Sequence, residues 1–413
     1  MYHNEKIISV LLTITMLLGI ISSMPLSVSA ATTDVVESSN TYTDEYGEWT
    51  YEPTDNGDGY KITGYDKSMT DIEIPHVIDN LPVVEIKDKM FLRCSSLTSV
   101  TIPNSITTIG NSAFYGCSNL TSVTLSDRVT AIGNFTFANC SSLTNITIPD
   151  NVMTLNTPIF YGCNNLTDIE VSANNKKYSS INGILFDKTQ SELIRYPAGK
   201  LSSNYTIPNS VTTIYDSAFC ECKNLLNITI PDSVTTIVAY AFHGCSITDI
   251  TIPNSVTTIG SYVFSNCSSL SEITLPKSVK KIGEYAFEDC SSLTSVTIPN
   301  SVKTIGSYAF SNCTSLSNVY YTGSESEWNS ILINKGNSCL TNATIHYNYT
   351  PPITGDISGD GILAVNDVIF VLKNIVGNQE LTAEQLALAD VSDDGKLTIL
   401  DAILLQKLVL EMV

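Results

Sequence analysis

From Thr98 onward the apolar positions return on a fixed schedule. The chain reads TSVTIPNSITTIGNSAFYGCSNL, then TSVTLSDRVTAIGNFTFANCSSL, then TNITIPDNVMTLNTPIFYGCNNL, three units of 23 residues. The same sentence returns at 203–225, 226–247, 248–270, 271–293 and 294–316, with one unit shortened to 22 residues. A degenerate copy at 70–97 precedes the series, and an irregular stretch at 167–202 interrupts it. Within a unit, Val100 and Ile102 alternate with Ser99 and Thr101, a period of two that predicts a short strand with its apolar side inward. Pro103 follows, where a strand ladder can stop. Val256–Ile259 predicts a second brief strand in each unit. Gly260 turns the chain, and Tyr262–Phe264 predicts a tight helical turn before Cys267 and Leu270. One unit cannot bury its apolar side alone. Stacked units bury a continuous one, so the pattern predicts a solenoid of short parallel strands.

Two further rows follow from the repeat. Nine of the eleven cysteines share one position: Cys94, Cys117, Cys140, Cys163, Cys222, Cys245, Cys267, Cys290 and Cys313. One cysteine per coil is the pattern of a core row in which Cys acts as a small apolar residue, and the expectation is buried free thiols. The near pair Cys220 and Cys222 has the wrong spacing for tetrahedral zinc. Tyr240, Tyr262, Tyr285 and Tyr308 also share a position and are expected to stack along one edge. Such a row is either a packing ladder beside the Phe242, Phe264, Phe287 and Phe310 core row or a ligand face that offers flat rings to a sugar or protein. The interruption gathers Lys176, Lys177, Lys188, Arg195 and Lys200, and a departure from a regular array is a place for a binding loop.

LTSVTIPNSVKTIGSYAFSNCTSL resembles the BspA-type leucine-rich repeat of bacterial surface and secreted proteins, over about 250 residues. The resemblance implies opening strands around GEWTYEPTDNGDGYKITGY and a closing cap over 317–348, which would cover the ends of the stack.

At the N-terminus, Lys6 precedes the apolar run Ile7–Ile20, and Val28-Ser29-Ala30 offers small residues for cleavage. This reads as an export signal over 1–30 whose apolar run is shorter than a membrane span needs, so the mature chain is expected outside the cell with no membrane span. With 21 basic against 41 acidic residues the net charge is −20. That balance argues against nucleic acid as a partner, because phosphate binding needs concentrated Lys and Arg. His76, His243 and His346 sit in different repeats, and no G-x-S-x-G elbow or Gly-rich phosphate loop accompanies them. The outward strand positions are mostly Ser, Thr and Asn. No enzyme is expected, and catalysis on a β-solenoid, with its paired carboxylates, is the weakest of the alternatives.

The chain closes on GDISGDGILAVND (355–367) and ADVSDDGKLTILD (389–401). Asp356, Ser358 and Asp360 stand at loop positions 1, 3 and 5, with Gly361 at 6 and Asp367 at 12. Asp390, Ser392, Asp394, Gly395 and Asp401 match them in the second copy. Alternate oxygen donors, a glycine at the sharp turn and the main-chain carbonyls of Ile362 and Lys396 are what a hard cation with six to eight oxygen ligands requires. Two Ca2+ ions are expected, one per loop. Asp replaces the usual Glu at position 12, and no helix precedes the first loop, so these are half EF-hands.

That tandem resembles the type I dockerin over 355–413. The resemblance implies a small all-α calcium-binding domain and a cohesin domain of a scaffoldin as partner. It also implies contact residues at loop positions 10 and 11 and along the following helix: Val365, Asn366 and Lys373 in the first half, Ile399, Leu400 and Lys407 in the second. The expected organisation is a signal peptide (1–30), an N-terminal cap region (31–69), a solenoid (70–348), a linker (349–354) and the calcium domain (355–413). The whole reads as a secreted, cellulosome-type component whose solenoid recognises a protein or glycan in polysaccharide breakdown. The alternatives are a surface-displayed adhesin and, less so, a polysaccharide-degrading enzyme.

Overall fold

Each unit forms one coil, and within each sheet equivalent strands of successive coils pair in parallel with no shift in register. The ladder of first strands breaks between Ser122–Thr124 and Asn145–Ile148 and between Asp249–Ile250 and Glu272–Thr274. Ser99–Thr101 pairs with Asp71–Glu73 on one side and Ser122–Thr124 on the other. The second strand of each coil is only two residues long: Thr108–Ile109 pairs with Ala131–Ile132, which pairs with Thr154–Leu155. The four-residue strand expected at Val256–Ile259 shortens to Thr258–Ile259, because Val256 N–H already closes a turn onto the Pro253 carbonyl. The computed structural model describes residues 40–66, 69–155, 158–351, 354–359, 362–392 and 394–411. The export signal at 1–30, the cap residues 31–39, and Asp360 with Gly361 of the first acidic loop lie outside the described residues.

The third side of each coil is built from separate turns, not from the tight helical turn that the pattern predicts. Ser265 N–H reaches the Tyr262 carbonyl and Cys267 N–H the Phe264 carbonyl, but Tyr262 itself is left-handed at φ 60° and breaks any helical run. Freed from a helix, the N–H groups of Tyr262, Phe264 and Asn266 bond to Glu284, Ala286 and Glu288 of the next coil. Coil-to-coil hydrogen bonds thus run along all three sides, which satisfies the backbone of a fold with little regular structure.

Inside, identical residues stack. Phe242, Phe264, Phe287 and Phe310 lie face over face at centroid spacings of 5.4, 5.4 and 5.1 Å. The nine row cysteines are buried and free, as the expectation had them. Eight of the nine donate to a main-chain carbonyl; Cys245, Cys267, Cys290 and Cys313 do so from Sγ to Phe219, Phe242, Phe264 and Phe287 at 2.9–3.1 Å. Burial pushes the Cys163 and Cys290 thiols up to about 12, which keeps that donor in place at neutral pH.

The irregular stretch proves to be a joint. After Asp168–Val171, which still pairs with Asn145–Ile148, the chain makes an antiparallel meander of Tyr178–Ile181, Ile184–Asp187 and Glu192–Arg195. Glu192–Leu193 then pairs in parallel with Thr213–Ile214 and restarts the stack. The meander serves two cores at once. Tyr178, Leu185 and Ile194 pack with the coils before it, and Ile184, Phe186, Leu193 and Tyr196 with the coils after it. The expected binding loop is therefore a partition, with alternate side chains facing opposite ways as a strand requires. Arg195 is 5% exposed and donates to the carbonyls of Ser217, Phe160 and Cys220, while Lys200 pairs with Asp168 at 3.7 Å. Lys176, Lys177 and Lys188 stay on the surface.

The ends are covered. Asn40–Asp44, Gly47–Pro53 and Tyr60–Tyr65 form an antiparallel sheet over the first coil, with Trp49 fully buried against Phe91. At 317–348, Leu332–Ile333 and Thr344–His346 supply the last rungs, and Trp328 and Leu340 close the core. Beyond them stand three helices, Val365–Ile375, Ala383–Ala389 and Ile399–Glu411. They share a core of seven buried residues: Ile357, Val368, Val371, Ala389, Ala402, Leu405 and Val409. No helix among the described residues is long and apolar enough to cross a membrane.

Candidate functional site

The two acidic loops share three side-chain hydrogen bonds at equivalent positions. In the first, the Ser358 N–H donates to Asp367 Oδ1 at 2.9 Å and the Ala364 N–H to Oδ2 at 2.8 Å. In the second, Ser392 N–H and Thr398 N–H hold Asp401 at 2.9 and 2.7 Å. The position 1 carboxylates match as well: Asp356 accepts from the Ser358 hydroxyl at 3.0 Å and Asp390 from that of Ser392 at 3.2 Å. Each last acid lies on the first turn of its helix, where N–H donors and the helix dipole favour a negative charge. Gly395 is left-handed at φ 76° with open space around it, so the sharp turn there suits glycine.

Asp367 and Asp401 are fully buried, and neither forms an ion pair among the described residues. Burial works to raise the pKa of Asp401, yet the N–H groups of Thr398 and Ser392 outweigh it and bring the group down to about 2. A carboxylate held charged inside a small domain is costly unless a cation or a full set of donors meets it. Among the described residues no three His, Cys, Asp or Glu side chains are gathered into a group that could hold a metal ion. Asp394 faces solvent, its Oδ1 accepting from Lys396 N–H at 2.8 Å, and Asp360 lies outside the described residues. The residues nonetheless fit a hard cation in donor chemistry. Each loop turns two carboxylates and a serine hydroxyl to one place, and every donor is oxygen. Asp356, Ser358 and Asp367 would hold one ion, Asp390, Ser392 and Asp401 the other, with the carbonyls of Ile362 and Lys396 as expected additions.

The helices that follow are apolar on the outside as well. Of twenty exposed large apolar side chains among the described residues, twelve lie between Ile362 and Leu410. Val365 is 63% exposed, Ile399 57% and Leu400 48%, and Asn366, Lys373 and Lys407 are exposed beside them. Patches of this kind on small domains mark interaction surfaces.

The tyrosine row is a packing ladder. Tyr240, Tyr262, Tyr285 and Tyr308 stack at centroid spacings of 4.5, 4.6 and 5.1 Å and within 11° of parallel, all left-handed at φ 57–60°. Each ring spends its faces on its neighbours, so only edges and hydroxyls remain half-exposed, and a sugar finds no free flat ring within the row. Gly336 closes the row, where any side chain would collide with the Tyr308 ring. His243 lies 3.8 Å from Glu221, and His346 stacks on Tyr320 and bonds to Asn318 at 2.9 Å. The histidines are not brought together.

A stack of short parallel strands, one coil per repeat, with end caps, defines a leucine-rich-repeat solenoid. The family model for the BspA type leucine rich repeat region matches residues 84–202 and 197–317, more than half of the chain, and the chain belongs to that family. The two matched segments overlap at 197–202, just past the meander that joins the two cores. A leucine-rich repeat protein from Eubacterium ventriosum is 30% identical, with 69% of this chain and 86% of that chain covered and a TM-score of 0.52. The pneumococcal vaccine antigen PcpA is 19% identical over 75% of this chain and 97% of its own, with a TM-score of 0.55, a likeness of fold. No curated protein matches the chain.

Proposed function

We propose that the chain is a secreted, non-catalytic adaptor. Its C-terminal segment would be a type I dockerin that binds two calcium ions and then a scaffoldin cohesin, and its solenoid would be a recognition module in a cellulosome-type assembly. The observation that carries this reading is the duplication of the two loops. Matching serine N–H groups hold matching buried aspartates, and each loop opens onto a helix with an exposed apolar rim. The family supports a binding role for the solenoid, since repeat stacks present long, uniform surfaces to partners. A surface adhesin is the second reading. It keeps the same anchor and differs only in what the solenoid holds.

Ile399 and Leu400 form a rim pair with two apolar side chains, against the mixed pair Val365 and Asn366. Burying each apolar side chain contributes roughly 1.5–3 kcal/mol. Cohesin docking is therefore expected chiefly through the second half. Calorimetric titration of the full chain with type I cohesins in calcium tests this. Replacing Ile399 and Leu400 with Asp should weaken binding far more than the same change at Val365 and Asn366. Equal losses would reject the asymmetry, and binding that survives chelation of calcium would reject the dockerin reading itself.

A further inference from the structure

One coil of the solenoid departs from its neighbours in a way that opens a hollow. Eight coils carry proline after the first strand, at Pro75, Pro103, Pro149, Pro208, Pro231, Pro253, Pro276 and Pro299; the coil at 121–143 carries Ser126. The same coil is loosened at its strand. Val123 and Leu125 are only partly buried, whereas their neighbours Val100, Ile102, Ile146 and Ile148 are at most 2% exposed. Beside it lies a hollow of about 530 Å³, lined by Glu73, His76, Asn104, Ser105, Ser126 and Asp127, with Ile102, Pro103 and Leu125 as its apolar part.

Two hydroxyls at this hollow have no partner in the protein. Ser126 is 8% exposed and its Oγ is unbonded, and so is the buried Oγ of Ser105. At the Ser105 position of three other coils the hydroxyl is satisfied: Ser233, Ser278 and Ser301 donate to the carbonyls of Val211, Val256 and Val279 at 2.8, 2.5 and 2.7 Å, whereas the Ser126 position is held by proline in the other coils. A buried hydroxyl left unmet costs free energy, and two of them on one hollow call for an explanation, of which a partner from outside the chain is one.

We infer that this hollow is a binding site for a short, uncharged, hydroxyl-rich saccharide; the inference rests on the solenoid being a recognition module. Sugar hydroxyls both donate and accept, so they can meet the two serines and, at the rim, the carboxylates of Glu73 and Asp127 and the Asn104 amide. The C–H face of the ring suits the apolar part at Pro103 and Leu125. Each serine has three staggered rotamers through which its hydroxyl can turn to the ligand. A basic peptide is the competing chemistry. It would gain little from Glu73 and Asp127, which are solvated and screened, and would leave the buried hydroxyls without a donor and acceptor. The volume falls within the range of small-molecule pockets.

The test is calorimetric titration of the full chain, in calcium, with cellobiose, xylobiose and, as the basic arm, trilysine. At least one disaccharide should bind. Ser126→Pro, which restores the residue of the other coils, should weaken that binding roughly tenfold or more with circular dichroism unchanged, and Ser126→Ala should move it the same way. Asp127→Asn should weaken it less. Binding of trilysine in place of both disaccharides, binding of neither, or disaccharide binding indifferent to both Ser126 variants overturns the site. Cohesin binding by the same variants should stay intact, so a failed saccharide site and a failed dockerin are told apart.

Discussion

The solenoid and the C-terminal segment stabilise their chains by opposite means. Every coil of the solenoid is held by its neighbours, through parallel strands, turn-to-turn hydrogen bonds and rows of identical buried side chains. Among the described residues its interior holds one buried charge, Arg195 at the joint. The last 59 residues carry ten acids against three lysines, a net −7, around a core of seven buried residues. A domain this small supplies only about 3–5 kcal/mol from its core, and here three buried aspartates, Asp356, Asp367 and Asp401, accompany that core. Repetition makes the first region independent of its surroundings. On the proposed reading the second is completed by cations added from outside.

Removing the cation is the strongest way to break that contrast. Chelation should unfold the three helices while the solenoid persists, because only the loops lose their counter-charge. Circular dichroism of the full chain should lose its helical part on adding chelator and regain it with calcium. The thermal transition of the solenoid should not move. Asp367→Ala together with Asp401→Ala should reproduce the chelated state in the presence of calcium. Helicity that ignores both chelator and substitution would count against a cation-dependent domain.

How far these features were legible before the structure follows from the same contrast. The coil, its two strands, the phenylalanine row and the buried cysteines were readable because each is stated many times over, and a period repeated eight times leaves one solution. The loop pattern was readable from spacing alone, down to the match between Asp367 and Asp401. The meander was not. Its ILF and ELIR runs break the repeat and so resemble a loop, and nothing local reveals that Ile184 and Leu185 serve different cores. The helical turn failed for a related reason, since the left-handed state recurs at that position of the coil whatever the residue, at Ser112, Phe135 and Ser217 as at Tyr262. At Ser112, Ser217 and Tyr262 it goes with an N–H bonded to the next coil rather than with the residue's own preference. Ser126 did carry a signal, a single serine in a column of prolines, but its meaning needed the hollow beside it.

The joint between the two cores offers a sharper test on the solenoid side. Arg195 holds three carbonyls, of Phe160, Ser217 and Cys220, that come from coils on both sides of the meander. Arg195→Met keeps much of the bulk and leaves those carbonyls unmet, a loss of about 2–4 kcal/mol after allowing for the relief of a buried cation. Since the loss falls at the joint, denaturant unfolding should separate into two steps, one for each core. A single transition at an unchanged midpoint would show that the halves are coupled by the meander's apolar side chains alone.

The smallest expected effect concerns protons. The solenoid should be nearly indifferent to pH around neutrality, with one exception at His243. Its ring is mostly buried, its Nδ1 has no partner, and burial holds its pKa below the ordinary 6.5 despite Glu221 at 3.8 Å. A histidine kept neutral in the fold binds fewer protons there than in the unfolded chain. Its contribution is therefore complete above about pH 6.5 and declines as the pH falls through the depressed value. The loss should be well below that of Arg195→Met, because Glu221 recovers part of the cost once the ring is charged. His243→Gln removes the titrating group, so the difference in thermal midpoint between the two proteins should be flat above neutrality and narrow or reverse toward pH 5. A difference that stays constant over the whole range would mean that His243 titrates alike in the folded and unfolded chains.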